Sequence, residues 1–201
     1  MFWDKIADFY DIFADRINRK TDHTLCQLIG SVITSKDWVL ECACGTGLLS
    51  GAIAKKCQYL VATDYSVNML RRAKKKYRSF NNIEWKRENI LHITYLDESF
   101  DKVVAANVIH LLDDPVQALR ELDRVCKKGG MIVIPTYMNR NQKGNVKGLI
   151  RILEKIGVDF KQKFTLETYK KFFRDAGYKQ VTYDWIEGVI PCAVAIIRKE
   201  K

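Results

Sequence analysis

Apolar residues at Ile6, Phe9, Tyr10, Phe13 and Ile17 recur three or four positions apart, with Asp4, Asp8, Asp11 and Asp15 between them. That spacing predicts an amphipathic helix, because residues three and four apart share one helix face. A second helix is predicted over Thr24 to Ile33. From Trp38 onward the pattern alternates. Apolar runs at Trp38–Ala43, Tyr59–Thr63, Ile83–Lys86, Phe100–Ala106 and Met131–Pro135 read as strands, and Leu48–Lys56, Val67–Tyr77 and Pro115–Cys126 read as helices between them. Such alternation builds an α/β fold: a parallel sheet covered on both faces, with right-handed crossovers. A polar stretch at 139–148 precedes helical segments that run to Gly157 and from Thr165 to Ala176. Tyr178–Trp185 and Val189–Arg198 are β-rich and separated by Ile186-Glu187-Gly188, which predicts a closing β-hairpin with an antiparallel strand.

Composition adds bounds to this picture. At 201 residues one domain is expected, and no apolar run is long enough for a membrane span. Met1-Phe2-Trp3-Asp4-Lys5 lacks a charged region followed by an apolar block, so a cytoplasmic protein is expected. The six cysteines form no C-x-x-C pair, and Cys42-Ala43-Cys44 alone lacks the further ligands of a tetrahedral metal site. They read as reduced structural thiols, and no metal is expected. The net charge of +10 is uneven. Arg71 to Arg78 holds six basic residues and no acid, and 139–175 holds ten basic residues against four acidic. A solvated helix end explains the first cluster more simply than a nucleic-acid patch does.

The candidate chemistry lies at a strand-to-helix junction, Glu41-Cys42-Ala43-Cys44-Gly45-Thr46-Gly47, the place where open α/β sheets bind nucleotides. Asp64 follows at the end of the next strand, where a carboxylate can accept both hydroxyls of a ribose. A dinucleotide fits less well: Ser50 stands where G-x-G-x-x-G needs its third glycine, and the acid Glu41 precedes the turn. An acid there suits a cofactor whose ammonium needs an acceptor, which S-adenosylmethionine has and a dinucleotide lacks.

These residues resemble class I S-adenosylmethionine-dependent methyltransferases of the small-molecule type, the group that includes ubiquinone and menaquinone biosynthesis methyltransferases. The likeness spans roughly residues 5 to 198. It rests on the E-x-A-C-G-T-G loop, Ala62 to Leu70, Asp97-Glu98-Ser99-Phe100-Asp101, Ile109-His110-Leu111-Leu112-Asp113-Asp114-Pro115, and Ala118 to Leu122 leading to Lys128-Gly129-Gly130, in the family's order. The resemblance implies a Rossmann-like seven-stranded sheet, mostly parallel with an antiparallel last strand. Over residues 1–201 it implies one domain: N-terminal lid helices at 1–35, a cofactor-binding core at 36–138, an acceptor-side insertion at 139–177, and the closing hairpin at 178–201.

Carried over by position, it places Glu41, Ala43, Gly45 and Gly47 around the methionine part of the cofactor and Asp64 on its ribose. Tyr65 and Met69 flank the adenine, Asn89 and Ile90 read its edge, and Asn107 lies beside the sulfonium. Ala43 stands for the family's usual first glycine, which is tolerable only at negative φ. Asn89 stands for the usual aspartate. His110 is the candidate general base, weighed against a packing histidine; His23 and His92 read as surface or structural residues. Tyr10 and Tyr137 are candidate acceptor contacts.

The activity so implied is in-line methyl transfer to a small-molecule acceptor, releasing S-adenosylhomocysteine. Two other readings are a methyltransferase acting on RNA or an anionic lipid, from the basic clusters, and a cofactor-binding regulator without turnover, from Ala43 and Asn89. No Asn-Pro-Pro-Tyr or Asp-Pro-Pro-Tyr string follows the fourth strand, which lowers the nucleic-acid option. The acceptor atom and a choice between monomer and homodimer do not follow from the sequence.

Overall fold

In a computed structural model, residues 18–139 and 159–200 are described here. The predicted helix around Phe9 and Phe13, Tyr10, and the helical run to Gly157 lie outside these residues. In chain order the elements are α1 (Arg19–Ser31), β1 (Trp38–Cys42), α2 (Ser50–Ala54), β2 (Tyr59–Asp64), α3 (Val67–Lys76), β3 (Ile83–Arg87), β4 (Phe100–Ala105), a 3₁₀ turn (Ile109–Leu111), α4 (Pro115–Val125), β5 (Cys126–Tyr137), α5 (Leu166–Asp175), β6 (Val181–Ile186) and β7 (Cys192–Arg198).

Seven strands form one Rossmann-like sheet in the order β3-β2-β1-β4-β5-β7-β6. β1 to β5 pair in parallel. β7 runs antiparallel to both β5 and β6, so the hairpin expected at the end of the chain is present and its second strand lies inside the sheet. Strand order reverses at β1, which has β2 on one side and β4 on the other, leaving a crevice outside their carboxyl ends.

Alternation along the strands fills both faces. Val39, Leu60, Val104 and Val133 pack with Leu25 and Ile29 of α1, Ile53 of α2 and Leu70 of α3. Leu40, Val61, Val103 and Ile132 pack on the other face with Leu119 and Leu122 of α4 and Tyr169 and Phe173 of α5. Period-two burial on both sides is why these strands read as nearly continuous apolar runs.

The helix starts are built locally. Ser66 Oγ accepts the Met69 N–H at 3.2 Å to open α3, and Asp114 accepts the Gln117 N–H at 2.9 Å with Pro115 in the first turn of α4. Thr165 and Thr168 cap α5 reciprocally. Two boundaries differ from expectation. The helix expected from Leu48 to Lys56 is only the five residues of α2, because Gly45 and Gly47 have φ of 57° and 85° and keep the preceding residues in turns. β5 starts at Cys126 rather than Met131, with an irregularity in its pairing to β4 between Phe100 and Lys102.

Arg124 ties the last part of the sheet to the loop before β4. Its guanidinium donates to the carbonyls of Ile93 and Tyr95 at 2.8 Å each and to the carboxylates of Asp97 and Glu121 at 2.8–2.9 Å. A planar five-donor group suits this fork, and lysine would not reproduce it. No helix among the described residues is long and apolar enough to cross a membrane.

Candidate functional site

The residues singled out at the first strand-to-helix junction meet at the carboxyl ends of β1 and β2. Asp64 closes the loop. One carboxylate oxygen accepts the Gly45 N–H at 2.8 Å and the other accepts the Ser66 N–H at 2.8 Å, so the glycine turn and the start of α3 are held from one side chain. The loop is further fixed by the Cys44 N–H on the Thr63 carbonyl and the Gly47 N–H on the Cys44 carbonyl, both 2.9 Å.

Ala43 is the first correction. Its φ is 53°, so it sits in the left-handed region rather than at the negative φ expected of a non-glycine residue there. An L residue in that region costs about 1–2 kcal/mol, and glycine gives back part of the difference through the unfolded chain. Ala43→Gly is therefore expected to keep or raise stability, by up to about 1 kcal/mol in urea unfolding. A loss of stability would show that this backbone is unstrained.

Gly47 has a second reason to be glycine. A Cβ there would lie 2.7 Å from Cε2 of Tyr77, and one on Gly51 would overlap the same ring. Tyr77 stacks on Trp85 with ring centroids 6.4 Å apart and meets Phe80 edge-on, so it has little freedom to retreat. Neither Tyr77 nor Gly51 was legible as part of the loop, since their contact spans two helices.

Glu41 is only 2% exposed. Its carboxyl accepts a 2.6 Å hydrogen bond from Ser50 Oγ and meets no cation among the described residues. Burial pushes its pKa up to about 8; the Ser50 bond opposes that shift and the charge of Asp64 adds to it. Ser50, which the sequence offered only as a missing glycine, is thus the residue that orients this acid.

Around these, Met69 is buried in α3, and Tyr65 is half exposed with the Arg87 guanidinium 4.8 Å above its ring. Asn89 uses its side-chain oxygen locally, accepting the Leu91 N–H at 3.0 Å, while Ile90 is partly buried beside it. The neighbouring Glu88 is committed to Thr94 and to Lys86 at 2.8 Å.

Beyond β4, Asn107 has a φ of 53°, a conformation asparagine tolerates, and accepts the Tyr137 N–H at 3.1 Å while donating its own N–H to the Pro135 carbonyl at 2.8 Å. That pins the end of β4 to β5. The Tyr137 hydroxyl donates to Asp22 of α1 at 2.8 Å, a contact across the sheet end that no local pattern signals. His110 is 4% exposed and stacks on Phe160 with centroids 5.4 Å apart. Burial pushes its pKa down to about 4, so the imidazole is neutral.

Thus the structure gathers Glu41, Ala43, Gly45, Gly47 and Asp64 around one crevice, with Asn107 on the adjoining strand end. His110 and Tyr137 line a cleft farther along the same sheet edge.

Comparison with known proteins names this arrangement. Residues 40–134 match the methyltransferase domain family. The chain carries a class I methyltransferase domain. Such a domain takes its methyl group from S-adenosylmethionine. Over 143 residues the chain is 29% identical to malonyl-[acyl-carrier protein] O-methyltransferase of Hamiltonella defensa, covering 71% of this chain and 52% of that protein. Over 139 residues it is 32% identical to demethylmenaquinone methyltransferase of Lactiplantibacillus plantarum, covering 65% of this chain and 59% of that protein. The chain thus spans little more than half the length of these relatives. A solved S-adenosylmethionine-dependent methyltransferase of Methanococcus maripaludis, described as putative, superposes with a TM-score of 0.74 over 100% of this chain and 95% of that one, at 21% identity. The methyltransferase match covers β1 through most of β5, the part of the sheet that carries the crevice.

Proposed function

We propose that this protein transfers a methyl group from S-adenosylmethionine to a small-molecule acceptor. The observation that carries the reading is Glu41: a buried carboxyl facing no cation among the described residues, at the switch point of the sheet, one turn from the glycine loop. Such a group is costly unless a positive ligand completes it, and the cofactor's ammonium is such a ligand. Asp64, two bonds into the loop and at the end of β2, is placed to accept the ribose hydroxyls while it fixes the glycine turn. Ala43, Gly45 and Gly47 surround the methionine part, Tyr65, Met69, Asn89 and Ile90 the adenine, and Asn107 the sulfonium.

The bound cofactor supplies a methyl carbon activated by positive sulfur. The protein's part is to hold the acceptor in line with that carbon and to keep water out, which supplies much of the rate in such displacements. Two relatives named for different acceptors, a malonyl-acyl-carrier protein and demethylmenaquinone, share this core, which supports assigning its residues to the donor half of the site.

Calorimetric titration with S-adenosylmethionine tests the reading directly. Asp64→Ala is expected to weaken binding by about 1–3 kcal/mol, the loss of a charged hydrogen-bond acceptor. An unchanged dissociation constant would remove Asp64 from the site, and no binding by the unaltered protein would overturn the function.

A further inference from the structure

Next to the crevice, at the same carboxyl end of the sheet, His110 of the 3₁₀ turn, Tyr137 at the end of β5, Phe160, Phe164 and Ile190 wall a cleft, with Asn139 and Gln162 among its polar lining. Three backbone bonds build it: the Gln162 N–H on the His110 carbonyl at 3.0 Å, the Asn139 N–H on the Phe164 carbonyl at 2.8 Å, and the Met138 N–H on the Pro191 carbonyl at 2.8 Å. Together they bring four separate chain segments to one place.

The walls are mostly aromatic or aliphatic. Yet the imidazole of His110 sits among them with its Nδ1 buried and without a hydrogen-bond partner among the described residues. A buried ring nitrogen left unmatched is expensive, and most such groups in folded proteins find a partner. Stacking on Phe160, with planes 16° apart, holds the ring in place. A neutral imidazole offers an acceptor nitrogen, and an apolar cleft admits an uncharged ring far more readily than an ion.

Resting on the methyltransferase reading above, we propose that this cleft is the acceptor subsite. It takes an uncharged aromatic hydroxyl compound whose O–H donates to the imidazole of His110. In the transfer, the hydroxyl oxygen forms a bond to the methyl carbon and the carbon–sulfur bond breaks. The electron pair of that bond stays on sulfur, giving S-adenosylhomocysteine, and the hydroxyl proton passes to His110 and then to water. His110 is the catalytic base in this scheme, and Phe160 is the positioning residue that sets its ring plane.

The test uses a matched pair of probes, 2-naphthol and 2-methoxynaphthalene, which share a ring system and differ in the donated proton. Fluorescence titration of the full-length protein is expected to show 2-naphthol binding at least tenfold tighter than the ether. His110→Phe keeps the stack on Phe160 and is expected to abolish that preference while leaving the S-adenosylmethionine dissociation constant within twofold. His110→Asn, a smaller acceptor, is expected to restore part of it. Equal binding of the two probes to the unaltered protein, or a preference that survives His110→Phe, would overturn the proposal. The probes are titrated without cofactor, so failure here is separable from failure to bind S-adenosylmethionine, which would instead overturn the methyltransferase reading.

Discussion

Glu41→Gln is expected to weaken S-adenosylmethionine binding at least tenfold and, at the same time, to make the empty protein more stable at neutral pH. Both effects come from the same buried carboxyl. In the folded chain its pKa is pushed up to about 8 by burial, whereas an unfolded glutamate titrates near 4.5. A folded pKa above the unfolded one contributes stability that is fully present below about 4.5 and is lost as pH rises through about 8. By pH 7 the wild-type acid has forfeited on the order of 3 kcal/mol relative to its protonated form. Glutamine keeps the shape and can still meet Ser50, but never ionises. Thermal melts of the two proteins should therefore nearly coincide at pH 5 and separate by about 1–3 kcal/mol at pH 7–8, glutamine higher. A glutamine variant less stable than wild type at pH 8 would contradict this. Cofactor binding should also expel the proton. The ammonium favours the carboxylate, so titrations at pH 7 in buffers of different ionisation enthalpy should report release of up to about one proton per cofactor.

The second large effect lies in the packing beneath the loop. Gly51→Ala pushes a methyl group into the Tyr77 ring, which Trp85 and Phe80 hold from other sides. Overpacking of this kind typically costs about 1–3 kcal/mol, and here the strain falls on α2 directly behind the glycine turn. We expect Gly51→Ala to lower the unfolding free energy by that amount and to weaken cofactor binding as well. Tyr77→Ala in the same chain should reduce the penalty of the Gly51 change, so a double-mutant cycle by urea unfolding gives a coupling of about 1 kcal/mol or more. Strict additivity would mean that the two residues do not meet.

Which features could be read ahead of the coordinates depends on how far apart in the chain their causes lie. The sheet strands were legible because burial on both faces makes them apolar throughout, as at Val39-Leu40 and Val103-Val104. Glu41, Gly45 and Asp64 were legible because a strand, a turn and the next strand end succeed one another within one βαβ unit. Ala43 misled because only the coordinates show that the loop demands positive φ regardless of the residue supplied. Ser50 was readable only as a departure from a glycine pattern, although its hydroxyl sets the orientation of Glu41. The Tyr77 wedge, the Arg124 fork and the Tyr137–Asp22 bond join residues from separate elements, for which a single sequence carries no local signal. The same holds for Phe160 and Ile190: each is an ordinary apolar residue until the chain folds it against His110.

The place of β7 in the sheet has a consequence for how the molecule is made. β6 borders only β7, and β7 alone joins it to β5. During synthesis β6 therefore leaves the ribosome before the strand that gives it a neighbour, and β5 waits with an open edge for the same partner. Until Cys192–Arg198 is available, the methyl-donor loop can already be assembled at β1 and β2 while Ile190 and Cys192 are still missing from the far end of the sheet. The donor half of the site can thus form ahead of the cleft beside it, and a nascent chain interrupted between the two would present unpaired backbone rather than a finished pocket.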